Sequence, residues 1–354
     1  MNAPNKKTKV VVAMSGGIDS SVAAALLKRA GFNVVGVHMK FWSSTGSIKE
    51  NRCCTLEAEK RARLVAKKLG IPFYVFNFEK EFKKRIVDYF LKEYKAGRTP
   101  NPCVVCNREI KFGLLLEKAL KLDADYIATG HYCRVKDNKL FKGKDENKDQ
   151  SYFLWQLKQN QLKHILFPVG GYTKDEVKKL AKKFKLSFAK VKESMEICFI
   201  KTTINDFLKK YLKPKPGDII DNKGNVLGKH QGLYLYTIGQ RKGIGFPGGP
   251  YYVLGKDLEN NALIITKDEK DLYKKELIAE KTNWLNGKEP KLPLKVQLKI
   301  RYRSQLVQAV IIGKPNNKKT YKIIFSKPQR AITPGQSAVF YEKGELLGGG
   351  TIKS

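Results

Sequence analysis

The chain has 354 residues, which is more than one average domain, and its 42% hydrophobic and 10% aromatic content is enough to build real cores. No stretch approaches the roughly 20 apolar residues of a membrane helix. The basic start at Lys6, Lys7 and Lys9 runs into residues 10–14, but Ser15-Gly16-Gly17 then breaks the apolar run a signal peptide would need, so a cytoplasmic protein without a membrane partner is expected. A formal net charge of +36 points to a polyanion, nucleic acid first, although a lysine-rich genome would give the same bias. Residues 281–354 hold 15 Lys and Arg against 3 Asp and Glu.

The first 200 residues alternate strand and helix patterns. Residues 10–14 read as a short buried strand. Asp19 or Ser20 is placed to cap a helix through Val22, Leu26 and Leu27, which Gly31 stops. Residues 34–39 form the next strand, Thr55 opens a helix that Gly70 ends, and residues 73–76 are strand-like. Helices are expected over about 80–96 and 108–121, a fourth strand over 126–129, and a helix to about 185 started by the capping-box pair Thr173 and Glu176. This alternation predicts a doubly wound parallel α/β sheet. From about Gly217 the texture changes to short apolar runs between glycines, with a turn at 221–224. Over 294–303, Leu294, Val296, Leu298, Ile300 and Tyr302 alternate with Lys295, Gln297, Lys299, Arg301 and Arg303. That pattern predicts a half-buried strand with a basic outer face, and the last 80 residues read as a small antiparallel β-barrel. The expected division is 1–205, 206–275 and 276–354.

Ser15-Gly16-Gly17-Ile18-Asp19-Ser20-Ser21 lies between the first strand and the first helix. Glycines let the backbone approach a phosphate, and successive N–H groups with the helix N-terminus attract an anion. No Gly-Lys-Ser/Thr follows, so this is not a Walker loop. It resembles the signature of the PP-loop ATP pyrophosphatases, a resemblance that implies cleavage between the α- and β-phosphates of Mg²⁺-bound ATP and transfer of AMP to a substrate oxygen.

The six cysteines are Cys53, Cys54, Cys103, Cys106, Cys133 and Cys198. In a reducing compartment they do not form a disulfide framework, which leaves core packing, metal ligation or catalysis. With a helix beginning near Arg108, Cys106 falls at its N-terminus, where the dipole, Arg108 and Lys111 favour thiolate, and Asn107 is a cap candidate. Cys103 and Cys106 by themselves make half a metal or redox motif. Cys198, on a mostly apolar run, reads by itself as core. Cys53 and Cys54 are a poor second pair, since adjacent side chains diverge.

Several further motifs follow in order: Asn101-Pro102 with 106–112, Ala128-Thr129-Gly130-His131-Tyr132, Asp149-Gln150-Ser151-Tyr152, Glu196-Ile197-Cys198-Phe199, Gly239-Gln240-Arg241-Lys242-Gly243 and Pro334-Gly335-Gln336. Together with the phosphate loop they resemble the bacterial tRNA-specific 2-thiouridylases from about residue 9 to 352. The resemblance implies adenylation of the C2 oxygen of the wobble uridine, position 34, and its replacement by sulfur. It implies a persulfide on Cys198, a nucleophilic Cys106, and a disulfide between them during the cycle. By the same resemblance, Ala13, Met14, Ser15, Gly16, Gly17, Ile18, Asp19, Ser20, Met39 and Gly130 contact ATP, and Asn101, Pro102 and Cys103 hold the target base. His131, Lys148, Asp149, Gln150, Arg301, Tyr302 and Gln336 contact tRNA, with a bulge needed to turn Tyr302 off the apolar face.

The implied partners are tRNAs for Lys, Glu and Gln and a sulfur donor, either a cysteine desulfurase or a relay carrier; a monomer is expected. Two positions depart from the family. Cys103 stands where an aspartate is usual, and Lys192-Glu193-Ser194-Met195 replaces Pro-Asp-Ser-Gln. The first departure opens an alternative cofactor, an iron–sulfur cluster on Cys103, Cys106 and Cys198. The rival functions are another PP-loop tRNA-modifying or amide-forming ligase and a non-catalytic basic RNA-binding protein.

Overall fold

A computed structural model describes residues 8–43, 55–186, 197–245, 247–313 and 319–354. The departures at 192–195 and the Cys53–Cys54 pair lie outside these residues. Among the described residues no helix is long and apolar enough to cross a membrane.

The first domain is built on β1 (Lys9–Ala13), β2 (Asn33–Lys40), β3 (Phe73–Asn77) and β4 (Tyr126–Ala128) and, after a hairpin of β5 (Cys133–Lys136) and β6 (Lys139–Lys142), on β7 (Ile165–Leu166). The sheet order is β3-β2-β1-β4-β7 and every pairing is parallel, with Val10 opposite Val34 on one side and Tyr126 on the other. β1 is buried on both faces, as its unbroken valines predict. Val10 and Val12 face helices Ile18–Arg29, Leu56–Leu69 and Lys174–Lys183, while Val11 and Ala13 face the helices running through 79–95 and 102–120. Thr55 caps its helix by accepting the Ala58 N–H at 3.0 Å, and Gly70 ends it at φ 60°.

Three details differ from the expected elements. The first helix is capped by neither Asp19 nor Ser20: Gly17 supplies the extended N-cap, and the Ser20 and Ser21 hydroxyls turn back to the Gly17 carbonyl at 3.1 and 2.9 Å. The helix at 79–95 widens into a π-turn over Lys83–Val87. The next helix starts at Pro102, six residues before the expected position, and passes through a second π-turn at Asn107–Leu114 before ending at Leu120.

A small central sheet has the order β10-β11-β8-β9, from β8 (Gly217–Ile220), β9 (Val226–His230), β10 (Tyr252–Asp257) and β11 (Ala262–Thr266). The last part is a closed antiparallel barrel of β12 (Tyr273–Trp284), β13 (Leu294–Lys299), β14 (Val307–Gly313), β15 (Tyr321–Arg330), β16 (Ser337–Glu342) and β17 (Glu345–Ile352). β12 pairs with both β15 and β17, which closes the ring. Leu298, Ile311, Ile323 and Phe340 fill its interior.

The barrel does not stand apart. Outward-facing Val339, Tyr341 and Leu346 belong to the core that fills one side of the first domain, and β17 pairs with β6. Trp155 Nε1 donates to Ser337 Oγ and Tyr152 Oη to the Ser337 carbonyl, each at 3.0 Å.

Candidate active site

In an open parallel sheet, ligands bind beyond the carboxyl ends of the strands, where the strand order reverses. Here the chain goes from β1 to one side through β2 and β3, then returns to β4 on the other side of β1. The crevice between the ends of β1 and β4 is that switch point. The Ser15–Ser21 loop leaves β1 there, and Thr129-Gly130-His131 leaves β4.

The loop is pinned from within. The Ser15 N–H donates to Ser20 Oγ at 3.2 Å, and the Arg61 Nε–H holds the Gly16 carbonyl at 3.1 Å. Gly16 sits at φ +76°, and a Cβ on it would lie 2.1 Å from the Ala58 carbonyl oxygen. Only glycine fits there. Gly17, by contrast, has open space above it, its nearest neighbour being the Ser15 hydroxyl at 3.5 Å from a built Cβ. Ser15 is exposed at the mouth. Met39 is the penultimate residue of β2, and the neighbouring His38 donates from Nδ1 to the Met14 carbonyl at 2.9 Å, its burial holding the imidazole below its usual range. This cradle of amides and hydroxyls fits a nucleotide triphosphate.

Asp19 points to the middle of the crevice. Tyr132 Oη donates to its Oδ1 at 2.7 Å, and Lys174 Nζ reaches both oxygens at 2.7 and 2.8 Å. Lys174 was not singled out in the sequence, where only the capping residues on either side of it gave a signal. That capping box is present, with Thr173 accepting the Glu176 N–H at 3.3 Å and donating its own N–H to Glu176 at 2.6 Å. Among the described residues no group of three His, Cys, Asp or Glu side chains could hold a metal ion. Magnesium would therefore be carried chiefly by the nucleotide phosphates, with Asp19 as the protein carboxylate.

The cysteines are placed differently from the expectation. Asn101 caps the helix, accepting the Val104 N–H at 3.4 Å, and Pro102 takes the first helical position. Cys103, in the first turn, is exposed. Cys106 lies a turn further in and is buried, so the helix N-terminus lies near Cys103, not near Cys106. Asn107 is no cap: it is buried, and its Nδ2 donates to the Phe153 carbonyl at 3.2 Å. Cys198 is half-buried against the same apolar cluster that contains Cys106, and Phe199 anchors it edge-on to Phe82 and Phe90. Cys103, Cys106 and Cys198 do not form a metal-ligand set, so the iron–sulfur alternative is not supported: one thiol faces solvent while another is enclosed in the core.

The segment before this helix is where all three parts of the chain meet. Thr99 N–H donates to the Pro334 carbonyl at 2.9 Å, and Gln336 Nε2 donates to the Thr99 and Pro100 carbonyls at 3.0 and 3.4 Å. The Thr99 hydroxyl meets that of Thr237 at 3.1 Å. Lys256, on β10, donates to the Gly97 carbonyl at 2.9 Å, its burial pulling the ammonium down to about 8. Asn101 also bonds the buried Tyr152 hydroxyl.

The residues expected to touch tRNA divide into two groups. Lys148 and Gln150 are half-buried near the surface, Gln150 also accepting the Tyr132 N–H at 3.0 Å. Asp149 is buried, and its carboxylate accepts from Gly143 N–H, Ser151 N–H and Ser151 Oγ at 3.0–3.1 Å, so it shapes the turn that presents its neighbours. His131 is buried against Phe112 and Phe167, bonded to Thr129 Oγ1 at 2.7 Å, and desolvation holds its imidazole well below the usual range.

β13 ends at Lys299, so Arg301 and Tyr302 are not on its faces. They lie in a turn closed by the Ser304 N–H on the Arg301 carbonyl at 3.1 Å. No bulge is needed: Tyr302 leaves the barrel and packs on Phe153, ring centroids 4.4 Å apart and planes tilted by 42°, beside the helix of Cys106. Arg301 is half-buried, donating to the Arg330 carbonyl, with its Nε lacking a protein partner.

Comparison with known proteins covers the whole chain. Residues 8–202 match the family described as tRNA methyl transferase HUP domain, 205–267 the tRNA methyl transferase PRC-barrel domain and 274–352 the aminomethyltransferase beta-barrel domain. The tRNA-specific 2-thiouridylase of Halothermothrix orenii is 49% identical over 356 residues, covering 98% of this chain and 99% of that protein. Those of Carboxydothermus hydrogenoformans and Clostridioides difficile are 48% and 45% identical, each match covering 98% of both chains. Identity of that order over nearly the whole of both chains leaves one assignment: the chain belongs to the tRNA-specific 2-thiouridylase family.

Proposed function

We propose that this chain replaces the C2 oxygen of uridine 34 in tRNA with sulfur, at the expense of ATP. The observation that carries the reading is the phosphate cradle at the sheet's switch point, with Cys106 and Cys198 packed against one core beside it. Ala13 to Ser20, Met39 and Gly130 form the nucleotide site. The uridine C2 oxygen attacks the α-phosphorus, the α–β P–O bond breaks, and pyrophosphate leaves with the bonding pair. Asn101 and Pro102, held by Gln336 and Tyr152, present the base, and Cys103 borders it.

Cys198 receives a persulfide from a donor protein. Its outer sulfur attacks C2, and AMP leaves with the former base oxygen. Cys106 thiolate then attacks Cys198 Sγ, the persulfide S–S bond breaks with its electron pair on the base sulfur, and a Cys106–Cys198 disulfide remains for a thiol to reduce. Lys148, Gln150, Arg301 and Tyr302 line the approach of the RNA, with the buried Asp149 and His131 shaping it from below. In this reading residues 1–205 carry the chemistry, and 206–275 and 276–354 grip the tRNA, with phosphate contacts dominating affinity. The base leaves its stack to reach the site. Substrates are tRNAs for Lys, Glu and Gln, and the protein works as a cytoplasmic monomer.

The test combines purified protein, Mg·ATP, tRNA and a persulfide donor, with nucleoside mass analysis. One 2-thiouridine should appear per AMP and pyrophosphate. Cys198→Ser should take up no persulfide, and Cys106→Ser should take it up yet make no thiolated tRNA. Stoichiometric ADP and phosphate, or normal thiolation by Cys106→Ser, would refute the scheme.

A further inference from the structure

Lys256 has no role in the scheme above, yet it ties the central sheet to the catalytic part of the chain. Its Nζ leaves β10 and donates to the Gly97 carbonyl at 2.9 Å. Gly97 ends the helix that runs through 79–95. It sits at φ +73° with its N–H on the Tyr94 carbonyl, and the Arg98 N–H returns to the Glu93 carbonyl at 3.0 Å. The partial negative charge of a helix C-terminus suits an ammonium there. Leu258, also from the central part, lies against Gly97, where a Cβ would be 2.6 Å from Leu258 Cδ2. Only Arg98, Thr99 and Pro100 then separate this helix end from Asn101, the cap of the helix of Cys106.

Packing alone does not call for a lysine here. Burial pulls the ammonium down to about 8 from the ordinary 10.5, so the fold favours the neutral amine. The unfolded chain keeps this proton up to 10.5 and the folded chain releases it near 8. The group therefore adds stability above 10.5 and loses that contribution as pH falls to 8. At neutral pH the charge is held against stability. A methionine would fill the same space, but it could not hold a carbonyl. What the lysine adds is an attachment to the backbone from which the helix of Cys106 starts.

We infer that Lys256 is a positioning residue of the thiolation site: from the central domain it holds the turn that sets the helix of Asn101, Pro102 and Cys106, so that base and nucleophile are in register only while that domain is seated. This rests on the reaction proposed above. Lys256 touches neither base nor sulfur and acts through the backbone of residues 97–101. The barrel holds the next carbonyls of the same turn through Gln336, and Lys256 is the second support. The charged groups of the surrounding elements are engaged or exposed. On β10 itself Asp257 is held by Asn260 at 2.8 Å, and β11 places the apolar Leu263 opposite Lys256. In the turn Glu269–Leu272, Glu269 pairs with Arg330 at 2.7 Å, Asp271 accepts from Thr266, and Lys270 is exposed. At the helix end Glu93 and Arg98 hold each other at 2.6 and 2.8 Å, Glu280 of β12 acts on Arg98, and Lys92 and Lys95 are exposed. Carboxylates and guanidiniums do not change charge near pH 8, and burial pushes the Tyr89 and Tyr94 phenols up to about 12. A loss of charge near pH 8 at this joint is therefore that of Lys256.

The test is single-turnover thiolation of a tRNA for Lys by full-length wild type, Lys256→Met and Lys256→Arg. Each protein is loaded with persulfide by a cysteine desulfurase and run at saturating Mg·ATP and tRNA from about pH 7 to 9.5. Mg·ATP affinity by calorimetry, in the absence of tRNA, serves as the control for folding and should be alike in all three. At neutral pH Lys256→Met should be slower by about tenfold or more, as for a lost charge-assisted hydrogen bond. A neutral amine still donates, but more weakly than an ammonium. The wild-type rate should therefore fall by about threefold to tenfold as pH rises through 8. That fall should be absent from Lys256→Met, and from Lys256→Arg, whose charge persists and should restore most of the neutral-pH rate. A Lys256→Met rate equal to wild type at neutral pH, or a fall with the wild-type midpoint in Lys256→Met, would overturn the inference alone. Wild type that thiolates no tRNA at any pH would overturn the reaction reading itself. Where Lys256→Met does not fold, Lys256→Arg decides: a profile level through pH 8 supports the inference, and a fall at the wild-type midpoint overturns it.

Discussion

Gly130 has almost no room. A Cβ on it would lie 2.6 Å from the Ser20 nitrogen and 2.8 Å from the Asp19 carbonyl carbon, both backbone atoms at the start of a helix that cannot rotate aside. Gly130→Ala should therefore push the phosphate loop away from β4. Overpacking of this kind costs about 1–3 kcal/mol, and ATP affinity should fall about tenfold or more. Calorimetry with Mg·ATP checks it, and wild-type affinity would show that the loop yields. The histidines give a second prediction. His38, His131 and His230 are all held below the ordinary 6.5, burial being the largest cause for each. As pH falls through 6.5 the unfolded chain takes up these protons and the folded chain does not. Their full contribution to stability is present above 6.5 and is lost below it, by about 1.4 kcal/mol per pH unit for each histidine until its folded value is reached. Melting temperature should drop between pH 7 and 5.5, and His131→Gln should flatten the drop; a level profile in wild type would contradict the burial argument. At this scale the sequence was partly legible. Gly16, Asp19 and the two motif cysteines could be picked out by type and order. Cys106 lies one turn deeper in its helix than a start near Arg108 predicts, because Asn101-Pro102, a cap followed by proline at the first helical position, starts the helix earlier. Lys174 was missed because a lysine in a capping box normally faces water, and only the fold aims it at Asp19.

Elements were most legible where a local rule governs them. Thr55 and Gly70 bound one helix and Thr173-Glu176 opens another, as their sequence indicates. The strict alternation over 294–303 misled at its end. Period-two patterning persists, but Arg301–Ser304 closes a turn through the Ser304 hydroxyl, which accepts the Arg301 N–H and donates to the Arg301 carbonyl at 3.3 and 2.9 Å. A turn of this sort competes with the strand without disturbing the pattern. Thr173→Ala should cost about 1 kcal/mol as a lost cap. It should also weaken Mg·ATP binding, because the first residue of that helix, Lys174, holds Asp19 of the phosphate loop at 2.7 and 2.8 Å. Equal Mg·ATP affinities in Thr173→Ala and wild type would separate the helix cap from the site. Of the segment 97–102, the sequence marks only Asn101 and Pro102, and not the stretch before them where the three parts meet. Its partners Thr237, Lys256, Pro334 and Gln336 are more than a hundred residues away, and only the packing of three sheets brings them to it.

The whole molecule joins its first and last parts through one core, since Val339, Tyr341 and Leu346 pack with Phe82, Phe112 and Trp155, and β17 extends onto β6. Deleting the barrel would bare that core, so it is a poor way to ask whether the charge of the last 74 residues binds RNA. Placement gives a cleaner question. Lys295, near the start of β13, and Arg303, within the Arg301–Ser304 turn, are exposed on the barrel, and Tyr302 of that turn packs on Phe153 next to the helix of Cys106. Lys179 and Lys182 are equally exposed on helix Lys174–Lys183, whose buried face packs against the opposite side of the sheet. If the +36 reflects genome composition, neutralising either pair should weaken tRNA binding alike, through net charge alone. A barrel footprint makes the pairs unequal. Each phosphate contact on duplex RNA contributes roughly −0.9 to the slope of log affinity against log salt. Lys295→Gln with Arg303→Gln should therefore make the slope shallower by about 1 to 2, while Lys179→Gln with Lys182→Gln leaves it within error. All four are surface changes, so melting temperatures should match, and affinities measured from 50 to 200 mM salt, roughly the range over which such contacts are lost, decide between the readings. Equal slopes in the two double variants would return the charge to composition and leave the turn at Arg301 and Tyr302 as the barrel's contribution to binding.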